Sequence, residues 1–157
     1  MKKVSKLLFL LFFSLFGNCF SQSFEEKLLG KWKLTKDEGF EFFMNTPEAI
    51  NSSKEEVETF VDWIEKVHDQ TFMNFFSLDS MSSTIVDGKK IIQEKSLWNF
   101  RYADSVVTWQ IRFHPKVLQV KVVKLTENEL ILVYLDADQK PVRFRNSYQK
   151  IKEDKEN

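Results

Sequence analysis

Across residues 98–122, turn chemistry and hydrophobic alternation agree over two successive hairpins. A two-residue turn at Ala103-Asp104 sets Trp98 opposite Trp109 and Phe100 opposite Val107. A second turn at His114-Pro115 sets Val107 opposite Val122, Trp109 opposite Val120 and Ile111 opposite Leu118. All of these side chains then share one face, and Arg101, Thr108, Gln110, Arg112, Gln119 and Lys121 share the other. Strand side chains alternate with a period of two, so a slip of one residue would turn the apolar set toward water. This stretch is predicted to be an antiparallel meander, buried on one face and wet on the other.

The same period extends in both directions. Strands are expected near 71–78, 82–86, 90–103, 105–114, 117–125, 129–136 and 141–151, with further turns at Asp87-Gly88, Glu127-Asn128 and Ala137-Asp138-Gln139. Asp-Gly between Ile85-Val86 and Ile91-Ile92 is a strong hairpin signal, because both residues tolerate the positive φ of a tight turn. Another strand at about 31–36 brings the total to about eight. That many antiparallel strands on short loops hide their edges best by closing into an up-and-down barrel, so the expected class is all-β.

The first strand has its own markers. Phe24-Glu25-Glu26-Lys27 suits one helical turn, and Gly30 suits the corner where that turn becomes a strand. Trp32 and Leu34 then lie on one face, with Trp32 placed to cover the barrel floor. Between the first two strands, residues 37–69 read as a helical insertion. Thr46-Pro47-Glu48 looks like an N-cap followed by proline at the first helical position. Ser53-Lys54-Glu55-Glu56 forms a capping box ahead of Val57, Phe60, Val61, Ile64 and Val67, an apolar stripe at helical spacing that Trp63 widens.

The N-terminal residues belong to another system. Lys2, Lys3 and Lys6 precede an apolar run from Leu7 to Phe16 and then Gly17-Asn18-Cys19-Phe20-Ser21-Gln22. This is the layout of a secretory signal, too short to span a bilayer as a transmembrane helix. Residues 1–21 are read as a signal peptide and 22–157 as the barrel domain, exported to a periplasm or beyond with Gln22 leading. The alternative is lipid anchoring through Cys19. Processing after Ser21 leaves 20 Lys+Arg against 23 Asp+Glu, a net charge of about −3, and removes the one cysteine. No basic face is offered to nucleic acid, and the roughly 136 remaining residues must hold by core packing alone.

No catalytic constellation, P-loop or dinucleotide fingerprint is present. His68 and His114 stand apart, with no second His or Cys at ligand spacing, so neither a metal nor a cofactor is expected. The candidate ligand-binding residues are the inward face of the meander, Trp98, Phe100, Tyr102, Val107, Trp109, Ile111 and Phe113, with Arg143 and Arg145 of the last strand. The aromatic face either lines a pocket or fills the barrel, and filling is the stronger expectation. Parity in the last hairpins decides the arginines. A two-residue turn at Glu127-Asn128 carries them inward. A three-residue turn buries Leu130, Leu132, Tyr134, Val142 and Phe144 and leaves both arginines in water. The second is expected, because a buried unpaired charge is costly.

Phe24-Glu25-Glu26-Lys27-Leu28-Leu29-Gly30-Lys31-Trp32-Lys33-Leu34 resembles the opening of lipocalins and intracellular fatty-acid-binding proteins. Leu125-Thr126-Glu127-Asn128-Glu129-Leu130-Ile131-Leu132 resembles the late hairpin of bacterial lipocalin-like domains. The helical insertion is similar in position to the lid of the fatty-acid binders. Those proteins hold a carboxylate with an Arg-x-Tyr pair. Here the spacing is one residue longer, Arg145-Asn146-Ser147-Tyr148, so that role transfers only through a bulge. The resemblance implies non-covalent binding of a small apolar or amphipathic molecule. The competing expectation is a filled barrel that contacts another protein.

Overall fold

The computed structural model describes residues 23–87, 90–110 and 117–152. Eight antiparallel strands follow one another around a closed barrel: β1 (Gly30–Asp37), β2 (Phe72–Phe75), β3 (Ser80–Asp87), β4 (Lys90–Arg101), β5 (Val106–Gln110), β6 (Val117–Leu125), β7 (Glu129–Leu135) and β8 (Pro141–Ile151). One-turn helix α1 (Phe24–Leu28) precedes β1. Helices α2 (Glu38–Met44), α3 (Pro47–Asn51) and α4 (Lys54–Gln70) lie between β1 and β2. The expected class, strand order and helical insertion are those observed. The signal-peptide segment lies outside the described residues.

The first strand starts as the sequence implies. Ser23 and Glu26 cap α1 reciprocally, and Gly30 takes φ +114°, a left-handed angle that a β-carbon would strain. Trp32 is fully buried and its indole N–H donates to the Leu28 carbonyl at 2.7 Å, which ties the strand to α1 across the floor. Phe24 stacks on Phe100 at 4.5 Å, and Phe75 meets Trp98 edge-on at 5.0 Å. This end of the barrel is filled.

Registers show where turn chemistry was informative and where it was not. β4 and β5 pair as expected, Trp98 with Trp109 and Phe100 with Val107. β5 and β6 do not: Val107 pairs with Val120 and Trp109 with Leu118, two residues away from the expected partners. In the β3–β4 pair, Asp87 likewise belongs to β3 and pairs with Lys90, one residue beyond the expected end of the strand. A slip of two leaves every side chain on its original face, so the hydrophobic pattern that excludes a slip of one is blind to it.

The last hairpins solve the parity question differently. β6 and β7 join through the two residues Glu127-Asn128, with Leu125 opposite Leu130. A bulge between Val122 and Lys124 then places Val122 opposite Leu132 and Val120 opposite Tyr134. One extra residue in β6 turns the even-numbered residues of β7 inward. Leu130 and Leu132 are buried, as the three-residue turn would have made them, yet the turn is the two-residue one. Val142 departs from its expected burial and is exposed, while Phe144 packs against Phe42 of α2 at 5.2 Å.

Candidate functional site

The opposite end of the barrel is built otherwise. Asp37, the last residue of β1, caps α2 by accepting from the amides of Gly39 at 2.8 Å and Phe40 at 3.2 Å. The Ser53–Glu56 capping box starts α4, whose apolar stripe settles over the barrel mouth with every residue only part-buried or exposed. Phe60 packs on Phe43 at 4.9 Å and on Phe40 at 5.9 Å. The C-terminal end of α4 is pinned to the strands: Lys33 Nζ meets Asp69 at 2.6 Å, and Thr84 Oγ1 donates to the Gln70 carbonyl at 2.8 Å. That pinning holds Val67 and Thr71 above the barrel interior.

Beneath them lies a cavity of about 230 Å³. Leu34, Val67, Phe72, Met73 and Leu118 give it an apolar body. Two polar walls face it. On the β3–β5 side are Ser83, 4% exposed, and Trp109, 2% exposed; neither the Ser83 Oγ nor the Trp109 Nε1 has a hydrogen-bond partner among the described residues. On the β7–β8 side are Tyr134, Asn146 and Tyr148, with Asp37 beside them. Tyr134 and Tyr148 share a hydrogen bond, and Tyr148 also bonds Asn146. Burial pushes the Tyr148 phenol well above its ordinary range, and the nearby Tyr134 and the Asp37 carboxylate push the same way. Tyr134 is raised for the same reasons, burial first and then Asp37.

The candidate residues are thus distributed rather than gathered. Trp109 lines the cavity. Trp98, Phe100 and Val107 are buried in the packed half, and the Trp98 indole donates to the Ser77 carbonyl at 3.0 Å. Tyr102 sits in the β4–β5 turn, 65% exposed and edge-on to Phe100 at 4.9 Å. Ile111 and Phe113 lie outside the described residues. Arg143 and Arg145 are exposed: the Arg143 guanidinium lies over Phe42 at 4.6 Å, and the Arg145 amide donates to Glu38 at 3.1 Å. Filled core and pocket therefore coexist at opposite ends of one barrel.

Ser83, Asp37 and Asn146 are cavity residues that the pattern did not single out. Asn146 was within reach, since it shares parity with Tyr148 and Phe144. Asp37 before Glu38-Gly39 is a readable N-cap, but nothing local says that its carboxylate also faces the cavity. Ser83 sits in Ser82-Ser83-Thr84, a run with no apolar residue to mark which face is inside.

Among the described residues no cluster of His, Cys, Asp or Glu could hold a metal ion, and no helix is long and apolar enough to cross a membrane. The sequence matches no protein-family model and no curated protein. Among solved structures, a mutant of the fluorescent protein UnaG is similar to this chain at 16% identity and a TM-score of 0.37, covering 82% of this chain and 99% of that one. At that overlap no residue or ligand is carried across, and the fold assignment rests on this chain's own closed ring of eight paired strands.

Proposed function

We propose that this protein is an exported lipocalin-like barrel that binds one small amphipathic molecule, non-covalently, in the cavity under α4. The supporting observation is that cavity itself: a largely apolar space with two buried polar groups on its wall that bond to nothing else in the described chain. Buried polar groups are rarely left without partners, so two of them facing one cavity call for an explanation, and a bound molecule supplies it. Export rests on the basic start, apolar run and small residues before Gln22.

Native mass spectrometry of protein purified without organic solvent tests the binding: one small molecule per chain is expected, released and identified after extraction. A bare polypeptide mass, together with failure of added small molecules to bind, would remove the reading. The same spectrum reads the N-terminus, expected at Gln22; a diacylated Cys19 would make the protein membrane-anchored instead. Since both arginines are exposed and outside the cavity, Arg143→Ala and Arg145→Ala should each change ligand affinity by less than about 1 kcal/mol. A second reading, a barrel that contacts another protein, draws on Phe76 and Leu97, exposed residues bordering a depression on the outer wall.

A further inference from the structure

We propose that the cavity takes an uncharged ligand whose carbonyl or ether oxygen accepts hydrogen bonds from Trp109 Nε1–H and Ser83 Oγ–H. This rests on the binding reading above and narrows it to a chemical class. An indole N–H can only donate, so the group that completes Trp109 must be an acceptor. A serine hydroxyl donates or accepts, so it can share the same oxygen, which offers two lone pairs. Both groups are more than nine-tenths buried and line the same space, while neither has a partner among the described residues.

Among the described lining residues, charge disfavours the alternatives. No Lys, Arg or His is among its described lining residues, and the one carboxylate there belongs to Asp37. A bound anion would lose its hydration without meeting a cation among the described lining residues, and it would face Asp37. The reach of that carboxylate is visible in the tyrosines, which it helps to hold in their neutral form. A cationic ligand would meet an Asp37 whose Oδ1 already accepts from two backbone amides, which leaves Oδ2 as its counter-charge. It would still leave Trp109 without an acceptor. A neutral oxygen compound satisfies both donors and lets Leu34, Met73 and Leu118 cover its apolar part. The volume, about 230 Å³, is below the roughly 300–1,000 Å³ of common ligand pockets, so the molecule is small.

Three probes of similar size separate the cases: methyl hexanoate, hexanoate and hexylammonium, titrated calorimetrically into the full-length mature protein at neutral pH. The ester should bind more tightly than either ion by about tenfold or more. It should also move the Trp109 indole N–H resonance, identified by its loss in Trp109→Phe. Trp109→Phe should weaken ester binding by roughly three- to tenfold, the usual effect of one hydrogen bond. Ser83→Ala serves the same purpose if the tryptophan variant unfolds early. Asp37→Asn keeps an N-cap side chain and removes the charge, so it should narrow the gap between ester and acid. Hexanoate or hexylammonium binding as well as the ester overturns the uncharged class but leaves the binding function standing. An ester preference that survives both Trp109→Phe and Ser83→Ala overturns the acceptor assignment. If none of the three binds, the binding function fails as well.

Discussion

Trp32 and Tyr148 show how single side chains serve the two ends of this barrel. Trp32 is fully buried, bonded to the Leu28 carbonyl, and crossed by the Lys150 ammonium at 4.9 Å from its ring. Trp32→Ala should cost about 3–5 kcal/mol, because the floor cannot collapse into the space an indole leaves. The midpoint of urea unfolding reads this directly, and an unchanged midpoint would place Trp32 outside the core. Tyr148 tests the other end. Its phenol ionises well above its ordinary value of 10.0 in the fold, chiefly through burial. An unfolded chain ionises at the ordinary value, so the folded state holds its proton longer. Stability is then complete below about pH 10 and falls as pH rises toward the folded value, by up to about 1.4 kcal/mol per pH unit for this group. Tyr148→Phe should flatten that alkaline fall, measured by denaturant titration across the range. An equally steep loss in the variant would assign it to other groups.

Among the elements, α4 differs from the strands in what holds it. Its stripe was legible from spacing, and so was its capping box, which forms with Ser53 Oγ accepting from the Glu56 amide at 3.3 Å. Yet no residue of α4 is fully buried, so its hold on the barrel comes from ring contacts and from its pinned C-terminal end. Ser53→Ala should therefore cost about 1 kcal/mol locally, the ordinary worth of an N-cap. The loss should appear as faster amide exchange over residues 54–57, with little change in the exchange of β6 and β7. Equal acceleration in the strands would mean that α4 and the barrel unfold as one unit. β6 makes the complementary point. The three-residue turn expected before β7 is not formed; the two-residue turn is, and the bulge after Val122 decides which residues of β7 enter the core. Val123 is exposed, and its hydropathy resembles that of Val122, so composition carries no mark of the bulge.

At the scale of the whole molecule, the buried core and the helical insertion are separable. The continuous core runs through Leu28 and strand residues only, and none of its members comes from residues 38–70. Replacing 38–70 with a short flexible linker should leave a barrel that still melts cooperatively, while ester binding in the cavity is lost with the lid that carries Val67. Cooperative thermal unfolding with absent binding supports this division; a molten chain without near-ultraviolet dichroism refutes it. The period-two pattern, the turn residues and Gly30-x-Trp32 were enough by themselves to determine an antiparallel barrel of about eight strands and its helical insertion. Those properties follow from local chemistry: alternation selects a face, and Gly, Pro, Asp and Asn select the corners. The cavity, by contrast, was decided by the tertiary structure. Registers that differ by two residues present the same faces and the same turn vocabulary, and choosing among them depends on closure between β1 and β8. Only after that closure do Ser83, Trp109, Asp37 and Tyr148, far apart in the chain, line one space. Whether a polar side chain there finds a partner depends on distances between strands, which no single segment of the sequence contains.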